Sequence, residues 1–109
     1  GIKVTVICPS GFRTDWAGRS ANNATKVIED YAPTAHANKE TIRGYSGNQP
    51  GDPVMAAKAI VQVTETEQPP LRLLLGAGAM KGGRRKLDEL KADFDAWETI
   101  TLGADRPKA

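Results

Sequence analysis

Residues 1–16 read GIKVTVICPSGFRTDW. Ile2, Val4, Val6 and Cys8 alternate with Lys3, Thr5 and Ile7, and Pro9, Ser10 and Gly11 end the run. β-Branched residues are stiff at χ1 and suit an extended, pleated backbone, so this stretch predicts a strand from about Ile2 to Cys8. Ile7 puts an apolar side chain on the second face as well. That implies cover on both faces, the condition of a strand in a parallel sheet.

Working outward, the next apolar run is Leu71–Leu75, LRLLL. It is short and almost wholly apolar, as the middle strands of parallel sheets are. Between the two runs, Asp52-Pro53 marks a helix start, with an acceptor at the N-cap and proline at the first helical position. Ala56, Ala57, Ile60, Val61 and Val63 then give one apolar face as far as about Thr64. Gln68, Pro69 and Pro70 read as a linker, and Gly76–Gly83 reads as a glycine-rich loop. Arg84–Glu98 is an amphipathic pattern with Leu87, Leu90, Phe94 and Trp97 on one stripe, and the tail from Gly103 to Ala109 is expected to fray.

The stretch from Gly11 to Gly51 is looser. Ser20–Ala32 carries Val27, Ile28 and Tyr31 at helical spacing, and Pro33 breaks that helix or opens a second. Thr34–Tyr45 predicts a further helix, stopped by Ser46 and Gly47. Both pieces are weakly apolar, which predicts a mobile excursion rather than core.

Strand, long connection, strand means a parallel crossover. Two strands alone leave edges and faces uncovered, so the pattern looks like the last third of an α/β domain. The first residue is Gly1 rather than methionine, and a strand pattern begins at once, which suggests a piece of something longer. The 109 residues suffice for one domain, and 39% hydrophobic with 26% charged residues is a globular balance. Fifteen Lys and Arg against thirteen Asp and Glu give a net charge of +2, too small to mark a dedicated nucleic-acid binder. The apolar runs are far short of the roughly 20 residues that span a membrane, and no secretory leader opens the chain. The single cysteine, Cys8, forms no internal disulfide and fits a reducing compartment.

In open α/β sheets ligands bind at the carboxyl ends of the strands, which singles out the turn Cys8–Trp16. A proline and a glycine let the backbone turn tightly beside a ligand, and a threonine hydroxyl offers a donor. The plainer alternative is a turn in which Thr14 or Asp15 merely caps a helix. Other stretches carry less. Gly76-Ala-Gly78-Ala-Met-Lys81 follows a strand and precedes a helix like a dinucleotide fingerprint, but Lys81 takes the place of the third glycine. Lys81, Arg84, Arg85 and Lys86 form a basic cluster that reads as a solvated face or an anion site. Gly44-Tyr45-Ser46-Gly47-Asn48 lacks the last glycine of a nucleophile elbow and reads as a helix C-terminal turn. His36 is the only histidine, so no zinc-ligand spacing exists, and it reads as a surface residue. Phe94 and Trp97 read as core or interface.

Residues 1–16 are similar to the segment that follows the catalytic helix in short-chain dehydrogenases/reductases, which often reads GI-V-V-V-PG-F-T. Gly47-Asn-Gln-Pro-Gly-Asp-Pro53 with Ala56–Ile60 resembles that family's helix after the substrate loop, and Pro69–Gly76 resembles its final strand. The resemblance implies the C-terminal part of a Rossmann-type doubly wound parallel sheet, with about two strands and flanking helices. It divides the chain into a strand and nicotinamide-side turn (1–15), a substrate lid (16–51) and a final helix–strand–helix (52–109).

By the same resemblance Pro9, Gly11, Phe12 and Thr14 would bind NAD or NADP, and the lid from Trp16 onward would cover a small-molecule alcohol or carbonyl. Ser10 stands where the family usually has glycine. The family's Tyr-x-x-x-Lys is absent, since Ala35 follows Tyr31 at four residues and Gln49 follows Tyr45. Its catalytic serine and cofactor glycine motif are missing too, so this chain carries no catalytic residue of its own. The implied parent is a cytoplasmic oxidoreductase that binds neither nucleic acid nor membrane. Its expected partner is a second copy or the missing N-terminal portion. The alternative is a non-catalytic α/β interaction module that pairs through its C-terminal helix; a third reading is an anion- or nucleotide-binding domain built on Gly76–Gly83.

Overall fold

The computed structural model describes residues 1–107; the expected fraying of the tail at Lys108 and Ala109 lies outside the described residues. The element order is β1 (Val6–Pro9), α1 (Ala37–Gly44), α2 (Pro53–Thr64), β2 (Arg72–Leu75) and α3 (Ala77–Leu102). The two strands pair in parallel, with Val6 opposite Arg72 and Pro9 opposite Leu75. This is the α/β arrangement expected, two parallel strands with flanking helices.

The first strand is shorter than its pattern predicts. The alternation begins at Ile2, yet the ladder begins at Val6, where the backbone N–H donates to Leu71 O at 2.8 Å. The reason lies across the sheet: Pro69 and Pro70 carry no N–H, so no ladder forms before Leu71. Residues 3–5 are held through side chains instead. Lys3 Nζ donates to Glu67 O, and Thr5 Oγ1 donates to Pro70 O at 2.8 Å.

Helix α2 starts where the sequence predicts. Asp52 is extended, its Oδ1 accepts from Val54 N at 2.8 Å, and Pro53 occupies the first turn. The glycine-rich loop expected at Gly76–Gly83 is instead the start of α3, which runs unbroken for 26 residues, roughly 39 Å. Gly76 alone makes the turn, with φ +93°. Two of the later glycines allow close approach: a Cβ on Gly83 would lie 2.8 Å from Leu74 Cδ1, and one on Gly78 would lie 3.2 Å from Ser10 Cβ. Each glycine costs about 1 kcal/mol of helix propensity, and at Gly78 and Gly83 packing against the Ser10 turn and β2 offsets it.

The helix predicted over Ser20–Ala32 is absent; that stretch is irregular, with a single 3₁₀ turn at Glu29–Tyr31. Asn22 and Asn23 compete for the backbone, as the bond from Asn23 Nδ2 to Ala21 O shows, and Val27 and Ile28 find no face to bury. Pro33 opens the following helix: a π-helical turn at Ala32–His36 leads into α1. The sequence places that helix over Thr34–Tyr45, and it ends with Tyr45 at its cap and Gly47 left-handed at φ +84°.

Burial is sparse. Ala17, Val63 and Leu75 are the buried apolar side chains among the described residues. The Cα radius of gyration is 20.2 Å, against roughly 13 Å for a compact domain of this length. The apolar stripe of α3 stays open, with Leu87, Phe94 and Trp97 each more than three-fifths exposed. Two strands and three helices here outline one wall of a core rather than enclose one. No helix among the described residues is long and apolar enough to cross a membrane.

Candidate functional site

The carboxyl ends of β1 and β2 lie side by side, with Ser10 N donating to Leu75 O at 2.9 Å just past the ladder. The chain then turns through Gly11, Phe12 and Arg13 and meets the segment returning from α1. Gly51 N donates to Gly11 O at 3.1 Å and Arg13 N donates to Gly51 O at 2.9 Å, so that Phe12 and Gly51 form a parallel bridge. Arg13 adds a second tie, with Nε and Nη2 both donating to Gln49 O at 3.2 and 3.1 Å. A Cβ on Gly51 would sit 2.6 Å from Phe12 Cδ1, so only glycine permits this approach.

A cavity of about 590 Å³ opens beside this turn, between β1, α2 and the 16–51 excursion. All four residues singled out in the sequence, Pro9, Gly11, Phe12 and Thr14, line it. Trp16, Ile42 and Tyr45 supply the side formed by the 16–51 excursion and Ile60 the side formed by α2, so its wall is predominantly apolar. The plainer role of Thr14 is also present: its Oγ1 accepts from Trp16 N at 3.4 Å and caps the 3₁₀ turn Asp15–Ala17. The hydroxyl hydrogen is left to donate elsewhere. The backbone N–H groups of Phe12 and Thr14 have no bonding partner among the described residues.

These features fit a nicotinamide. Its carboxamide needs donors for its oxygen, which Phe12 N, Thr14 N and the Thr14 hydroxyl offer, and its flat ring needs an apolar wall. The walls that would hold the rest of a dinucleotide are not formed by residues 1–107.

Gln49 is the residue that sequence reasoning missed. It sits inside the Gly47–Pro53 stretch, where nothing in the sequence marks it for burial, yet it is the one buried polar residue among the described residues, at 5% exposure. Its Oε1 accepts from Gly47 N at 2.8 Å, its carbonyl takes the Arg13 fork, and it lines the cavity.

The other candidates resolve in bland terms. In the basic cluster, Arg85 Nε lies 3.3 Å from Glu89 Oε1 and Lys86 Nζ 3.5 Å from Glu89 Oε2, exposed pairs on a solvated face. In the Gly76–Gly83 stretch, Gly76 makes the turn and Gly78 lies in the first turn of α3, facing Ser10, while Lys81 stands where the fingerprint has its third glycine. Tyr45-Ser46-Gly47 is a helix C-terminal turn. His36 is half-buried, with Nε2 3.1 Å from Ile28 O, which pins the end of the irregular stretch. No group of three metal-ligating side chains occurs among the described residues.

No family model matches the chain. A curated relative from Botryotinia fuckeliana, named Oxidoreductase BOA17, is 38% identical over 104 residues, covering 95% of this chain. The crystal structure of a short-chain dehydrogenase from Streptomyces avermitilis superimposes with a TM-score of 0.76 at 37% identity, covering 96% of this chain. The chain spans 38% of the length of each of these two relatives.

Proposed function

We propose that this chain, similar in sequence and fold to a short-chain dehydrogenase, belongs to the short-chain dehydrogenases/reductases and forms the C-terminal part of an NAD(P)-dependent oxidoreductase. The reaction is the interconversion of an alcohol and a carbonyl. The observation that carries this reading is the convergence of Pro9, Gly11, Phe12 and Thr14 on one apolar cavity at the strand ends.

In this reading Phe12 and Gly11 line the nicotinamide face. Thr14 donates to the carboxamide while its oxygen keeps the cap to Trp16. Residues 16–51 close over the substrate and exclude water, which strengthens every polar contact beneath them. The bound nicotinamide supplies hydride acceptance or donation. The proton must come from a group outside residues 1–107, since neither Tyr31 nor Tyr45 has a lysine four residues on. The sparse core agrees with this division: the exposed faces of the sheet and of α3 are where the rest of the enzyme would pack.

The test is to express the whole reading frame that contains this chain and follow carbonyl-dependent oxidation of NADH and of NADPH. Turnover is expected, with a Tyr-x-x-x-Lys encoded upstream of Gly1. No turnover with either cofactor, and no such motif in the frame, would overturn the reading.

A second reading has an observation of its own. The open stripe of α3, with Leu87, Phe94 and Trp97, suits a module that pairs with a partner. In that case the isolated chain would be a stable oligomer in solution and would bind no dinucleotide.

A further inference from the structure

Gln49 as a residue is 95% withdrawn from solvent, yet only half of its carboxamide is used. The bond from Gly47 N must meet an oxygen, so it fixes which end of the amide is Oε1 and leaves the NH₂ group as the other end. Nε2 has no hydrogen-bond partner among the described residues, and it is not sealed off either: the described residues include no fully occluded polar atom without a partner. The open space that Gln49 borders is the cavity. Its stem lies along the turn, since Gln49 Cγ is 3.7 Å from where a Cβ on Gly11 would be. Once a ligand fills the cavity and excludes water, a donor so placed is costly to leave unmet: Ile42, Ile60 and Phe12 on the wall offer it nothing, and the hydroxyls there, of Ser10, Thr14 and Tyr45, make no bond to it.

We propose that Gln49 is a specificity-determining residue, and that the substrate is a bulky, largely apolar alcohol or carbonyl carrying a second hydrogen-bond acceptor, which Gln49 Nε2 meets. The inference rests on the oxidoreductase reading above and deepens it. The apolar wall selects the body of the molecule by burial. The amide selects against analogues lacking the acceptor, because they leave a buried donor unpaired. The acceptor is distinct from the reacting oxygen, which must face the nicotinamide at the Phe12–Thr14 side.

The experiment compares two fused-ring ketones of matched shape, a decalone and a decalindione, with the intact enzyme and with Gln49→Glu. Glutamate keeps the oxygen that accepts from Gly47 N and nearly the same shape, but an ionised carboxylate has no hydrogen to give. The wild type is expected to favour the dione in kcat/KM by about tenfold or more, and Gln49→Glu to abolish or reverse that preference. Binding of the same pair is read separately by quenching of tryptophan fluorescence. Equal preference in the two proteins, by turnover and by binding, would overturn the assignment of Gln49. A preference in binding that Gln49→Glu removes, without any turnover, would uphold it while the oxidoreductase reading fell.

Discussion

Arg13 donates two hydrogen bonds, from Nε and Nη2, to the carbonyl of Gln49, and so joins the turn after β1 to the segment returning from α1. The two residues are 36 positions apart. A fork of this kind needs the planar guanidinium; a lysine ammonium reaches as a single point. Arg13→Lys is therefore expected to loosen residues 16–51, at a cost of about 1 kcal/mol. Limited proteolysis should cut within 16–51 several-fold faster, while the urea midpoint of the whole protein barely moves, because that segment buries little besides Ala17 and Gln49. Unchanged cleavage would mean that the Phe12–Gly51 bridge suffices without Arg13.

Gly51→Ala tests that bridge. The new Cβ would fall 2.6 Å from Phe12 Cδ1 and 2.7 Å from Gly11 O. The backbone oxygen has nowhere to go without breaking its bond from Gly51 N. The expected loss is about 1–3 kcal/mol, with a weaker NAD(P) complex as Phe12 is pushed from its place. Isothermal titration of the intact enzyme with each cofactor checks this. Wild-type affinity would sink the idea that the bridge positions the cofactor turn.

Thr14 carries both a structural and a proposed binding role, and two substitutions separate them. Thr14→Ser keeps both the cap to Trp16 N and the donor; Thr14→Val loses both while keeping the shape. Cofactor affinity is expected to hold in the serine variant and fall about three- to tenfold in the valine variant. A stability loss in Thr14→Val with unaltered cofactor Kd would leave Thr14 as a cap only.

Much of this fold is legible in the sequence because the decisive signals are local. Asp52-Pro53 starts a helix through its own side chain, and Leu71–Leu75 is apolar wherever it sits. The errors fall where a partner decides the outcome. The ladder starts at Val6 because Pro69 and Pro70, more than 60 residues on, have no N–H to give. Gly78 and Gly83 look like loop residues until the Ser10 turn and β2 are beside them. Three-dimensional proximity also hides Gln49, whose neighbours in sequence say nothing of its burial. Pro9, Gly11, Phe12 and Thr14 are legible because they follow a strand directly, and a strand end is a ligand's usual place.

Gly76 holds the link between β2 and α3 at φ +93° and ψ 155°, a region open essentially to glycine alone. A Cβ there would also lie 2.3 Å from Ser10 Oγ. Gly76→Ala thus combines backbone strain with a clash, and a loss of about 1–3 kcal/mol or more is expected. Ser10→Gly in that background removes the clash but not the strain. It should recover only part of the loss in a urea titration; full recovery would mean that the backbone relaxes out of the left-handed region.

Gly82 and Gly83 are adjacent in α3 and face different surroundings. A Cβ on Gly82 meets nothing within 4 Å, whereas one on Gly83 lies 2.8 Å from Leu74 Cδ1. Alanine is worth about 1 kcal/mol over glycine in a helix interior. Gly82→Ala should therefore raise the stability of the isolated chain by about that amount. Gly83→Ala should gain less, by whatever Leu74 loses in swinging aside; Leu74 is only half-buried, so the cost is modest. The pair becomes more informative in the protein from the whole reading frame. Gly82 lies one turn from Lys86 and two from Glu89, on the charged side of α3; if the remainder of the enzyme packs on that side, Gly82→Ala changes sign to destabilising. A gain at Gly82 in both proteins would show that face of α3 uncovered in the enzyme. The thermal midpoints of the two variants, measured in both proteins, decide between these outcomes.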